Sequence, residues 1–121
     1  MQTGSLPTAL AQFEETWAPR IVGELNGQHV KVAKLEGAFD WHHHEDADEL
    51  FLVLGGTLTI EHREGNDITL GEGDFCIVPA GTEHRPVADA GEVHVLLFEP
   101  AGTRNTGNRD TDRTVDAPEW A

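Results

Sequence analysis

The stretch Trp41-His42-His43-His44-Glu45-Asp46-Ala47-Asp48-Glu49 concentrates imidazoles and carboxylates in a few residues. In an extended chain, side chains two apart share a face, so His42 and His44 point one way while Trp41 and His43 point the other. Two imidazoles then converge on one point. The acidic turn brings the chain back at Glu49, where the apolar run Leu50 to Leu54 predicts a buried strand with a carboxylate at its head. Farther along, Gly73-Asp74-Phe75-Cys76-Ile77-Val78-Pro79-Ala80-Gly81-Thr82-Glu83-His84 reads as a strand, a Pro-x-Gly turn and a histidine entering the next strand. If these strands enclose one interior, His84 joins the first pair. Three neutral imidazoles and one carboxylate are a donor set for a divalent transition metal.

The alternative is a solvated acidic turn, and for His29, His43 and His62 a surface role suffices. His42 and His44 differ, because burial on an inner face demands partners for their ring nitrogens, and a metal supplies one for each. Asp48, one place before Glu49, points to the other face of its strand and is read as a surface or hydrogen-bonding residue; it is the rival for the carboxylate position. Cys76 is the only cysteine, which excludes a disulfide within the chain and any site built on paired thiolates. Between Phe75 and Ile77 it reads as an inert thiol in a strand. His94, within Val93 to Phe98, is the candidate catalytic residue, able to face the interior and move a proton. Lys31 and Lys34 cannot both face inward; one of them can line the mouth.

These side chains must be positioned by strands. From Ile21 to Glu99 the chain runs in short apolar or alternating segments, broken by Asn26-Gly27, Gly55-Gly56, Gly65-Asn66, Gly71-Glu72-Gly73, Ala80-Gly81 and Ala90-Gly91. That punctuation predicts strands near 21–24, 28–35, 39–44, 49–54, 57–62, 66–70, 74–78, 84–88 and 92–99, in an all-β sandwich or small barrel. Thr57 to His62 alternates and Arg63 to Asp67 turns it back into Ile68-Thr69-Leu70, a hairpin. Residues 1–20 carry the helical pattern, with Leu6, Leu10, Phe13 and Trp17 spaced at three and four, Ser5 as a cap ahead of Pro7, and Pro19 as a stop. Residues 101–121 read as an irregular tail, with Trp120 suited to drape it over the barrel.

Composition limits the partners. At 121 residues there is room for one core, and a formal charge of −14 leaves no basic surface for phosphates, so nucleic acid and anionic membranes are poor partners. No apolar run approaches the roughly 20 residues of a spanning helix, and residues 1–10 lack the features of a signal peptide. A cytoplasmic location is the default expectation.

On these residues the chain resembles the cupins, small β-barrels of the jelly-roll kind. Gly37, His42, His44, Glu49 and Gly56 follow the first cupin motif, with four residues instead of five between Gly37 and His42; Gly73, Pro79, Gly81 and His84 follow the second, whose closing Asn is Ala88 here. The wording also resembles small single-domain bacterial cupins of the mannose-6-phosphate isomerase-like kind. The resemblance implies an all-β cupin (jelly-roll) barrel over 21–100, and the patterns above flank it with a short N-terminal helix or arm in 1–20 and an irregular C-terminal tail over 101–121. It implies that His42, His44, Glu49 and His84 ligate one divalent transition metal, with Fe, Mn, Ni, Zn, Co and Cu all compatible. It further implies a small oxygenated substrate (carboxylate, diketone or sugar-like, with an anion among the options), handled by dioxygenase or isomerase/lyase chemistry. A non-catalytic binding or sensing barrel, or a barrel with a structural metal, are the alternatives. Cupins also commonly pair through edge strands, which implies a homodimer, with Trp41 suited to the contact between subunits.

Overall fold

The computed structural model describes all 121 residues. One helix, α1 (Leu6–Leu10), precedes seven strands: β1 (Arg20–Leu25), β2 (Gln28–Ala38), β3 (Glu49–Gly55), β4 (Leu58–His62), β5 (Ile68–Leu70), β6 (Phe75–Val78) and β7 (His84–Pro100). The fold is the all-β barrel expected, with every pairing between these strands antiparallel.

Turn chemistry explains the local pairings. Asn26 and Gly27 both have positive φ, 51° and 74°, the twist that a two-residue hairpin needs to join β1 to β2 in tight register. The β4–β5 hairpin pairs Leu58 with Leu70 and Ile60 with Ile68.

The sheet order is β1-β2-β7-β3-β6, and β4 adds to β7 as well as to β5. Closure depends on β7. Its first residues pair with β4, from His62 opposite His84 to Thr59 opposite Val87, and its later residues lie between β2 and β3. The strands expected at 84–88 and 92–99 are therefore one long strand, passing through Gly91 at φ 129° without breaking. Inward positions alternate along it, and Val93, Val95 and Leu97 join Leu35, Phe51, Val53 and Leu58 in the main core. Burying each such side chain is worth about 1.5–3 kcal/mol.

Two expectations need correction. The helix is five residues long, capped by Ser5 Oγ accepting from the Thr8 N–H at 3.3 Å, and does not continue to Trp17. Leu10 and Phe13 pack with Val32 in a small cluster outside the main core, whereas Trp17 belongs to the core itself. Reaching both clusters requires an extended path, and Trp17 adopts φ 59°, which no helix permits. The segment 39–44 is also not a strand; of it, only His42 pairs, through an isolated bridge to His84.

Residues 101–121 run back across the barrel in a series of turns. Thr106 is fully buried, and Trp120 forms a backbone bridge to Ile21 while its ring stays largely exposed. No helix is long and apolar enough to cross a membrane.

Candidate metal centre

The isolated bridge between His42 and His84 is what brings distant stretches together. The His42 N–H donates to the His84 carbonyl at 3.0 Å, and the His84 N–H donates back to His42 at 2.9 Å. Alternation then places His42 and His44 inside, with Trp41 and His43 only half-buried. Glu49 opens β3, and its register opposite Val78 of β6 ties it to the strand before the Pro79 turn. All four of His42, His44, Glu49 and His84 are buried, and one donor atom from each lies within 4.8 Å of every other.

The hydrogen bonds fix which nitrogens face inward. Nδ1 of His42 lies 2.8 Å from the Asp40 carbonyl and Nδ1 of His84 2.9 Å from the Thr82 carbonyl. A carbonyl only accepts, so each Nδ1 carries the proton and each Nε2 presents a lone pair. Nε2 of His44 and of His84 and Oε1 of Glu49 are buried without any hydrogen-bond partner. Glu49 Oε1 stands 3.4 Å from His44 Nε2 and 3.6 Å from His84 Nε2, too far for charge-assisted hydrogen bonds. Two donors that each sit about 2.1 Å from a shared cation are separated by roughly 3 to 3.4 Å. Orphaned, converging lone pairs at this spacing fit a metal ion.

The electrostatics agree. Burial, then the neighbouring His84 ring, holds the His42 imidazole down to about 4, so it is a neutral donor at physiological pH. Burial acts to raise the Glu49 carboxyl, yet the polar groups beside it, Glu99, His44 and His84, hold it well below the usual range. Glu99 moves the opposite way, pushed well above that range by burial and by the Glu49 charge beside it.

Sequence reasoning missed Glu99, the partner of Lys31, which is the inward-facing one of the two lysines weighed. Lys31 and Glu99 are both almost completely buried, with Nζ donating to Glu99 Oε1 at 2.9 Å. The signal was available: Glu99 is in phase with Val93, Val95 and Leu97, and Lys31 with Ala33 and Leu35, all of them buried.

The remaining candidates lie elsewhere. Asp48 is exposed and its Oδ1 accepts from the Ala80 N–H at 2.8 Å, which pins the Pro79 turn and directs the carboxylate away from the donors. His94 sits on the face of β7 opposite Val93 and Val95, partly exposed and 2.8 Å from Glu92, outside the cluster. Lys34 donates to the Phe13 carbonyl and so anchors the arm. Cys76 packs partly buried against the core, and burial pushes its thiol up. Ala88, where the second motif closes, is buried opposite Gly37. The Trp41 ring packs against the guanidinium groups of Arg63 and Arg85, 4.1 and 5.1 Å from its centre.

A family model described as a cupin domain matches residues 28–99. The YdbB protein of Bacillus subtilis (strain 168) is 39% identical over 74 residues, 61% of this chain and 66% of its own length. The chain thus spans just under two thirds of that relative. A solved structure of a cupin-2 domain containing protein from Shewanella frigidimarina NCIMB 400 is 38% identical, with a TM-score of 0.78 over 81% of this chain and 94% of that one. That of NMB1881 from Neisseria meningitidis is 28% identical, with a TM-score of 0.75 over 83% and 100%.

Proposed function

Because this chain belongs to the cupin family, we propose that His42, His44, Glu49 and His84 ligate one divalent transition metal per chain and that the centre acts on a small oxygenated molecule inside the barrel. The observation that carries this reading is the set of buried, unpartnered donor atoms on His44, Glu49 and His84.

When bound, such a metal supplies Lewis-acid polarisation of a substrate oxygen and, if redox-active, dioxygen chemistry. The chain supplies the rest. The Asp40 and Thr82 carbonyls hold two imidazoles in the tautomer that points Nε2 inward. Glu49 brings one negative charge, so a 2+ ion leaves the centre at about +1 and favours an anionic or enolisable oxygen. Apolar walls exclude water, which strengthens these interactions. The acidic exterior is no bar to an anion, since its field is screened within about 8 Å at physiological salt.

The test is to load untagged protein with Fe, Mn, Co, Ni, Zn or Cu in turn. Oxygen uptake with diketones, and isomerisation or solvent-deuterium exchange with hydroxycarbonyl substrates, are then followed. Turnover with at least one metal, lost in His84→Ala, is expected. Four donors closed around zinc with no turnover would support a structural metal instead. A homodimer belongs to the same proposal: Phe75 and Ile77 are 63% and 55% exposed on β6, an edge of the sheet order. Sedimentation equilibrium of the wild type giving a monomer at micromolar concentration would refute that part.

A further inference from the structure

We propose that the cavity beside the metal centre selects molecules with an apolar body and a single oxygen-bearing end, and that Trp17 sets this preference. The proposal rests on the metal-centre reading for the oxygen-bearing end. His42 and Glu49 border this narrow cavity, and Trp17, Leu35, Phe39, Phe51 and Leu97 form its walls.

Apart from the metal donors themselves, the polar side chains around this cavity are already engaged. The Trp17 indole N–H donates to the Glu36 carbonyl at 2.8 Å, and His42 Nδ1 is held by Asp40. Asn105, at the rim, uses its amide on the Trp17 and Arg113 carbonyls and its oxygen on the Val115 N–H. A polyhydroxylated ligand entering here would bury hydroxyls that find no partner, whereas an apolar body is matched by the walls. The sugar-like branch of the substrate class is therefore disfavoured, and compact apolar acids or oxo acids are favoured.

Trp17 is singled out by its backbone. A bulky residue at φ 59° is strained, and such strain persists only where surrounding contacts enforce it. Here the Trp17 N–H donates to the Lys34 carbonyl at 2.8 Å, the indole is tied to Glu36, and the ring stacks on Phe39 at 4.6 Å. Arg113 lies 5.7 Å from both ring centres. The arm thus delivers one large apolar wall from outside the segment that matches the family model.

The experiment titrates cobalt-loaded protein with 4-methyl-2-oxopentanoate and with gluconate, two chelating anions of equal charge, following the cobalt absorption bands. The apolar acid should bind at least about tenfold tighter. Equal binding, or tighter binding of gluconate, overturns the proposal on the wild type alone. Trp17→Gly suits the left-handed backbone, removes the wall, and should narrow the ratio to less than about threefold with cobalt stoichiometry unchanged; Trp17→Phe should keep it. A Trp17→Gly protein that retains the full ratio removes Trp17 from the role. If the wild type takes up no cobalt, the metal reading fails separately. Calorimetric titration of the metal-free protein with the same two anions then decides the cavity preference, the same ranking supporting it and no preference refuting it.

Discussion

Lys31 Nζ lies 2.9 Å from Glu99 Oε1 inside the barrel, and each residue is 1% exposed. A second, longer contact of the ammonium, 3.4 Å to the Thr103 carbonyl, cannot replace the carboxylate. Removing one partner of such a pair leaves a buried group uncompensated, whereas removing both does not. Glu99→Leu should therefore destabilise the protein by about 3–5 kcal/mol in urea denaturation, and Lys31→Met/Glu99→Leu should recover much of the loss. Additive losses would mean that the two side chains do not act as a pair.

The His42 imidazole is held at about 4 in the folded protein against 6.5 ordinarily, by burial and then by His84. Between those values the unfolded chain binds a proton that the folded one does not. The stability this group contributes is complete above about pH 6.5 and is lost as pH falls toward 4, a change of about 3 kcal/mol. Urea unfolding of metal-free protein across this window should show the decline, and His42→Leu should flatten it. Stability that rises on acidification over the window would contradict the assignment.

Gly107, at φ 55°, packs so closely on the His43 carbonyl that a β-carbon there would collide with backbone. Next to it, the Asn108 N–H donates to that carbonyl and Asn108 Oδ1 accepts from the His43 N–H, both at 2.9 Å. Gly107→Ala should cost about 2–3 kcal/mol and loosen the chain between His42 and His44. Gly102→Ala, at φ 87° with open space around it, should cost only about 1 kcal/mol. Thermal or urea unfolding distinguishes them, and equal costs would refute the close approach.

Asp48 and Glu49 are adjacent acids with opposite surroundings. Asp48→Asn keeps an oxygen that can accept from Ala80, so metal affinity should stay within about twofold, whereas Glu49→Gln removes the inward charge and should weaken it at least about tenfold. Competition against a chromophoric chelator measures both. Equal losses would make Asp48 the ligand.

Much of the barrel and its buried cluster was legible because both obey short-range rules. Period-two alternation sets the inward face of His42, His44 and β7, and Asn26-Gly27 dictates its own hairpin. The arm was not legible, since the spacing of Leu6, Leu10, Phe13 and Trp17 satisfies a helix while the tertiary packing divides those residues between two clusters. The placement of 39–44 was hidden for a related reason: its hydrogen bonds go to His84 and to the chain near Asn108, partners far away in sequence. Trp17 as a cavity wall depends on that same long-range folding. Glu99, the partner of Lys31, was readable from phase alone, but a charged residue in an inward position contradicts the expectation that Glu stays in water.

The central claim is that nitrogen donors from two distant segments and one carboxylate grip a single cation, and metal quantitation tests it most directly. Untagged wild-type protein, equilibrated with a divalent transition metal and desalted, should carry one ion per chain by mass spectrometry. His42→Ala and His84→Ala should carry almost none while keeping the β-sheet circular dichroism of the wild type. Full occupancy in either variant, or none in the wild type, would contradict the account.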